Sequence, residues 1–278
     1  MDLDNLVREN RFTIAFVFPL VGAITLLASY EGVLPDLLSY NPFFILFGTL
    51  VMRLPLLAGI KPLIDRKAAA GLTLLVIYSY VIEYIGVKTG FPYGSFSYGI
   101  DLGPMILGKI PLALPIFFIP LVLNAYLLIL LLKPERVKKF YYRITAITGA
   151  VLFLDLVLDP AAVAINFWNY GSGIYYNVPV SNYLGWILSA SVSVLVLDFC
   201  LNREKLIERL EECEFMLDDM VSFGLLWGLI NLYFANYIPF ILSILLLYGL
   251  AKVDRFDFVS PKKSLRLTDI IEKLRPAA

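Results

Sequence analysis

The stretch TAITGAVLFLDLVLDPAAVAI, residues 145–165, decides the fold. It is long and apolar enough to cross a bilayer, which takes about 20 residues. It nevertheless carries two carboxylates, Asp155 and Asp159, and their four-residue spacing puts both on one helix face. A proline follows Asp159. Residues 166–186 then read NFWNYGSGIYYNVPVSNYLGW, with no Lys, Arg, Asp or Glu but many Asn, Trp, Tyr and Gly. A second stretch, EYIGVKTGFPYGSFSYGIDLGP at 83–104, repeats this grammar: an acid near a helix end, then an aromatic, Gly- and Pro-rich loop. The two stretches read as two halves of one site.

Working outward, the rest of the chain is of the same apolar kind. Hydrophobic residues make up 59% of it and charged residues 17%, against about 25% charge in a soluble domain. Mean hydropathy is +0.78. The apolar residues fall in eight blocks, at roughly 12–30, 43–60, 70–87, 111–132, 145–165, 183–200, 220–235 and 238–251. The last two are short and only Asn236 and Tyr237 separate them. A single helix over both would be about 48 Å long at about 1.5 Å per residue, too long for a core of about 30 Å. A tight hairpin fits, with Pro239 just inside the last block. The N-terminus carries acids and no small-residue cleavage site after its apolar run, so it reads as a retained span.

Lys and Arg gather on the cytoplasmic side of a membrane protein. Of the chain's 23 basic residues, all but Arg53, Lys88 and Lys109 lie in the N-terminus, the second, fourth and sixth connections, and the C-terminal tail. An even number of spans keeps these segments on one side. The expectation is an all-α, polytopic transmembrane bundle of about eight spans. It forms one integral membrane domain over 1–278, in the cell membrane, with both termini cytoplasmic. Both aromatic loops then face outward, with Glu83, Asp155 and Asp159 near the outer ends of their helices. The sixth connection, NREKLIERLEECEFMLDD, reads as a short amphipathic surface helix.

Several chemistries are excluded. The chain has no histidine, so a His base, a His ligand and a His-based triad are absent. Two cysteines are too few for a disulfide framework. Zero formal net charge gives no sign of a nucleic-acid partner. No span has a central lysine for a retinal Schiff base, and there is no Asp-rich diphosphate motif, nucleotide loop or G-x-S-x-G. No metal or other cofactor is expected.

Ionisable groups inside a membrane are costly and usually functional. Here they are Glu83, Asp155, Asp159, Arg53 and, at the inner interface, Asp198. Apolar surroundings favour the neutral form of a carboxylic acid, and a second carboxylate favours it further. Such a group can protonate an unreactive substrate. The competing reading is a polar contact between helices, with Arg53 as counter-ion. Trp and Tyr collect at membrane interfaces in any protein, but ten aromatics interspersed with Asn on two same-side loops exceed such a belt. Aromatic faces stabilise a carbocation by up to about 2 kcal/mol when desolvated. The candidate pocket residues are Tyr93, Tyr98, Asn166, Trp168, Tyr170, Tyr175, Tyr176, Asn182 and Trp186. An acid, an aromatic wall and amides to hold water suit the addition of water to an alkene.

At these two stretches the chain resembles the CruF-type carotenoid hydratases, a family that serves bacterioruberin synthesis. The matching residues are Glu83, the run G-V-x-T-G-x-P-Y-G-x-F-x-Y from Gly86 to Tyr98, and Leu102 to Pro104. In the second stretch they are Asp155, Asp159 with Pro160, Trp168, Tyr175, Tyr176, Val178, Pro179, and Asn182 through Gly185 and Trp186. The chain departs at Tyr170 and Asn177, where the family pattern more often has Trp and Gly. The resemblance implies hydration of the terminal isoprenoid double bonds of a linear carotenoid. Its expected partners are the lipid bilayer, the hydrophobic substrate and other enzymes of the pathway. A carotenoid cyclase would use the same protonation, and a small-solute or proton transporter could use the same acids. A transporter would need polar groups continuing inward, and the hydropathy pattern shows only Arg53 and Asp198 there.

Overall fold

The structure, a computed structural model, describes residues 2–253. Six basic residues assigned above to the cytoplasmic tail, Arg255, Lys262, Lys263, Arg266, Lys273 and Arg275, lie outside the described residues. Among the described residues, ten α-helices run in the order α1 (Leu3–Glu9), α2 (Phe18–Tyr30), α3 (Pro42–Ile60), α4 (Arg66–Thr89), α5 (Leu114–Leu132), α6 (Phe140–Ala164), α7 (Val180–Cys200), α8 (Arg203–Glu212), α9 (Asp218–Tyr233) and α10 (Tyr237–Val253). A π-helical turn, Thr13–Val17, leads into α2. Two 3₁₀ turns, Lys61–Leu63 and Arg136–Lys138, and four two-residue strands complete the described fold: β1 (Ser97–Tyr98), β2 (Met105–Ile106), β3 (Ile110–Pro111) and β4 (Trp168–Asn169).

Among the described residues, six helical segments are long and apolar enough to cross a membrane. They correspond to the first six apolar blocks, and the protein is an all-α integral membrane protein. Their outer faces carry exposed apolar side chains, including Val21, Ile24, Phe47, Leu74, Ile77 and Phe199, as lipid-facing helices require. The helices α9 and α10 have 16 and 17 residues. The chain reverses between them at Ala235, whose φ is 56°, so the expected hairpin is present.

Local chemistry sets the helix ends. Asn41 Oδ1 accepts from the Phe43 and Phe44 amides at 3.0 and 3.3 Å, with Pro42 at the first helical position. Asp65 caps α4 by accepting from Ala68 N at 2.8 Å, and Gly90, at φ 78°, ends it. Pro160 lies inside α6 and has no N–H to give the Leu156 carbonyl. The Tyr175 hydroxyl donates to that carbonyl at 3.3 Å instead. The proline beside Asp159 and the loop tyrosine thus form one structural unit.

The centre of the bundle is α6 and α9. Asn231 Nδ2 of α9 donates to the Val157 carbonyl of α6 at 2.8 Å, and Asn236 Nδ2 reaches the Pro160 carbonyl at 3.4 Å. The sixth connection is only partly a surface helix. It forms α8, capped by Asn202 and resting on Leu206 and Leu210. Residues 213–219 then turn inward: Cys213, Phe215, Met216, Leu217, Asp218 and Asp219 are all buried. The reason is electrostatic. Arg11 pairs with Asp218 at 2.5 Å and Arg53 pairs with Asp219, so these acids are neutralised inside the bundle and do not flank it in water. Arg53 is therefore not the counter-ion of Asp155 or Asp159. Asp198 is likewise engaged: Arg143 chelates it, and the Tyr126 hydroxyl donates to it at 2.7 Å.

Candidate active site

The two aromatic loops are joined by a strand pair. β1 and β4 run antiparallel, with Tyr98 opposite Trp168 and Ser97 opposite Asn169. Gly99 N adds a hydrogen bond to the Phe167 carbonyl at 3.0 Å. This pairing sets the loop after α4 against the loop after α6, above the bundle.

Below the strands lies a cavity lined by both stretches. Glu83 reaches it from α4, Tyr98 from β1, Asp159 from α6, Trp168 from β4, and Asn182 and Trp186 from α7. Tyr93, Phe96 and Tyr170 also line it. The expected meeting of Glu83 and Asp159 in one cavity is what the fold produces. Among the candidate residues, Asp155, Asn166, Tyr175 and Tyr176 do not line it. Asn166 sits in left-handed backbone, φ 62°, and its amide contacts the Gly99 carbonyl at 3.4 Å, so it shapes the loop. Tyr175 serves the Leu156 carbonyl. The Tyr176 hydroxyl accepts from Ile238 N at 3.4 Å, tying the loop to α10. Asn177 next to it has φ 66°, a conformation glycine adopts freely and Asn tolerates.

The acids are held by neutral groups. The Tyr98 hydroxyl donates to Glu83 Oε1. Asn182 Nδ2 donates to Asp155 Oδ2 at 3.0 Å and to Asp159 Oδ2. Tyr170 Oη lies 3.0 Å from Asn182 Oδ1 and 3.5 Å from Asp159 Oδ2. Because Asn182 Oδ1 faces a phenol and Nδ2 faces two carboxyls, the amide has one consistent orientation. Burial, with the Glu83 carboxyl next in effect, pushes the Tyr98 phenol well above its usual range. Burial followed by Asp159 does the same to Tyr170. Both phenols therefore stay protonated and act as donors. Asp155 is fully buried behind Asp159 and reaches the cluster through Asn182. Among the described residues, no Lys or Arg pairs with Glu83, Asp155 or Asp159. No group of three or more His, Cys, Asp or Glu among them could hold a metal.

The wall is aromatic. Phe96 stands 5.9 Å from Tyr98 and 5.8 Å from Tyr170, ring centre to ring centre. Trp186 stacks on Phe118 at 5.2 Å. Tyr93 packs on Trp186 at 6.0 Å, with its hydroxyl 2.6 Å from Ser189 Oγ. The arrangement offers carboxyl groups, a face of π-electrons, and an apolar slot.

The family model for carotenoid biosynthesis proteins matches residues 40–250. Over 255 residues the chain is 60% identical to the bisanhydrobacterioruberin hydratase of Haloarcula japonica, covering 92% of this chain and 87% of that protein. The chain belongs to the carotenoid biosynthesis protein family. No solved structure matches it. The matched region contains both stretches that build the cavity of this family member.

Sequence reasoning missed how far the cavity of this carotenoid biosynthesis protein extends inward. It continues between α5, α6 and α9 past Phe117, Leu121, Leu154, Phe223 and Trp227 to Arg53 and Asn124. The available signal was Asn124, the single amide in the apolar run LPIFFIPLVLNAYLLILLL. The inner half of the bundle is thus more polar than the hydropathy pattern implied.

Proposed function

We propose that this protein adds water across the terminal isoprenoid double bond of a linear carotenoid, giving a tertiary alcohol. The observation that carries this reading is the 60% identity to a hydratase over 92% of the chain. The cavity supports it, because acids and aromatic rings meet there around an apolar slot. Asp159 or Glu83 delivers a proton to the less substituted alkene carbon. The tertiary cation is shielded by the faces of Trp168, Tyr98, Phe96 and Tyr170. Asn182, oriented by its hydrogen bond to Asp155, positions the attacking water, and the proton that the water loses restores the acid. Alkene plus water gives alcohol, so no oxidant, reductant or cofactor enters the balance. Tyr93 and Trp186 shape the slot.

The basic-residue asymmetry supports eight crossings with α9 and α10 as the last pair, both ends cytoplasmic, and the cell membrane as the site of action. The substrate is soluble in the same bilayer, so its end group enters from the lipid. The test is expression in a host that makes the acyclic carotenoid, followed by pigment analysis. Each hydrated end adds the mass of one water. Unchanged mass with a shifted retention would identify a cyclisation and overturn the reading.

A further inference from the structure

The inner end of the cavity is polar, while the walls that lead to it are hydrocarbon. Arg53 of α3 and Asn124 of α5 both line it, and both bind one carboxylate, that of Asp219 at the start of α9. Arg53 Nη1 donates to Asp219 Oδ1, and Asn124 Nδ2 donates to Asp219 Oδ2 at 2.5 Å. The carboxylate only accepts, so it fixes the Asn124 amide with Nδ2 toward Asp219 and Oδ1 away. Two atoms beside this carboxylate have no hydrogen-bond partner among the described residues: Arg53 Nε, a donor, and Asn124 Oδ1, an acceptor. Asn124 is only 3% exposed. Buried polar groups normally find partners, and here one unused donor and one unused acceptor flank the same ion pair.

We propose that this inner end is a hydroxyl-binding subsite for an isoprenoid lying in the cavity. A hydroxyl both accepts and donates, so it satisfies Arg53 Nε and Asn124 Oδ1 together. The charge of Arg53 is already balanced by Asp219, so nothing favours a carboxylate or phosphate there. The six side chains Phe117, Leu121, Leu154, Leu158, Phe223 and Trp227 line the path between the two ends, so the rest of the ligand is hydrocarbon. Asn124 lies ten residues beyond Leu114, where α5 enters the cavity, which is about 15 Å along the helix. The subsite therefore selects isoprenoids that carry an oxygen well removed along the chain from the alkene held by the acids.

This inference rests on the reading that a linear isoprenoid occupies the cavity, and its test uses binding without turnover. Radiolabelled farnesol, which has a terminal isoprenoid alkene at one end and a hydroxyl at the other, is titrated against purified full-length protein in detergent. The hydrocarbon that lacks only its hydroxyl is titrated in parallel. The quantity compared is the ratio of the two dissociation constants, because partition of each ligand into micelles is common to all variants. Asn124→Leu removes the acceptor, and Arg53→Lys keeps the positive charge opposite Asp219 but removes the Nε donor. The preference for the alcohol is expected to fall roughly tenfold in each variant, the loss of about 1.4 kcal/mol. If Asn124→Leu fails to fold, Arg53→Lys carries the measurement. A ratio equal to wild type in the folded variants overturns the subsite. Loss of the preference in a protein that nonetheless fails to hydrate a carotenoid would support the subsite and remove the hydratase reading instead.

Discussion

Asn182 is the residue on which the acid cluster turns, because its one amide nitrogen bonds both Asp155 and Asp159. Asp159→Asn keeps size and hydrogen bonding but removes the acid proton. The variant is expected to insert normally and to make about 10²–10⁴-fold less hydrated product, read by pigment analysis at matched protein level. Glu83→Gln should behave similarly if the two acids share the work. Trp168→Leu should cost only about tenfold to thirtyfold, the value of one lost cation–π face of about 1–2 kcal/mol. Wild-type yield from the Asp159→Asn, Glu83→Gln double variant would show that neither acid delivers the proton. Tyr170→Phe tests the departure from the family pattern. It removes the hydroxyl that meets Asn182 and Asp159, and a loss of about fivefold to tenfold is expected for one hydrogen bond of about 1 kcal/mol. The acids were legible in the sequence because charge in an apolar run is costly. Tyr175 was not legible as a structural group, because its duty is to a carbonyl that Pro160 leaves unpaired, and composition does not display backbone needs.

The pairing of β1 with β4 is what turns two distant loops into one wall. At Gly99, just after β1, a Cβ would collide with the Asn166 carbonyl. Gly99→Ala should therefore push the loops apart, destabilise the fold by about 1–3 kcal/mol as overpacking does, and lower hydration in parallel. Thermal unfolding in detergent reads the first effect and pigment analysis the second. Gly48, in α3, has open space where a Cβ would stand, so Gly48→Ala should leave both unchanged. Equal behaviour of the two variants would remove the close approach of these loops from the account. The helices themselves were legible from apolar runs, caps and Gly90. The strand pairing was not, since two residues per strand leave no periodic trace. The inward turn of residues 213–219 was missed for a related reason. Its acids look solvated in the sequence and are buried only because Arg11 and Arg53, on other elements, neutralise them.

For the whole molecule, the charge asymmetry predicts that reporters fused after Lys139 and after Ala278 both report the cytoplasm. An external C-terminus would overturn the proposed count of eight crossings. The sequence by itself determined that the chain is a bundle of membrane helices, that three carboxylates lie inside it, and that two aromatic loops belong with them. Hydropathy, charge bias and turn chemistry are properties of each segment alone, so they can be read along the chain. Only the tertiary structure decided the partners. Arg53 answers Asp219 and not the catalytic candidates, Asn182 couples Asp155 to Asp159, and the cavity runs on to Asn124. Those outcomes depend on the depth and rotation of each helix against its neighbours, which the packing of the bundle fixes and a one-dimensional pattern does not contain.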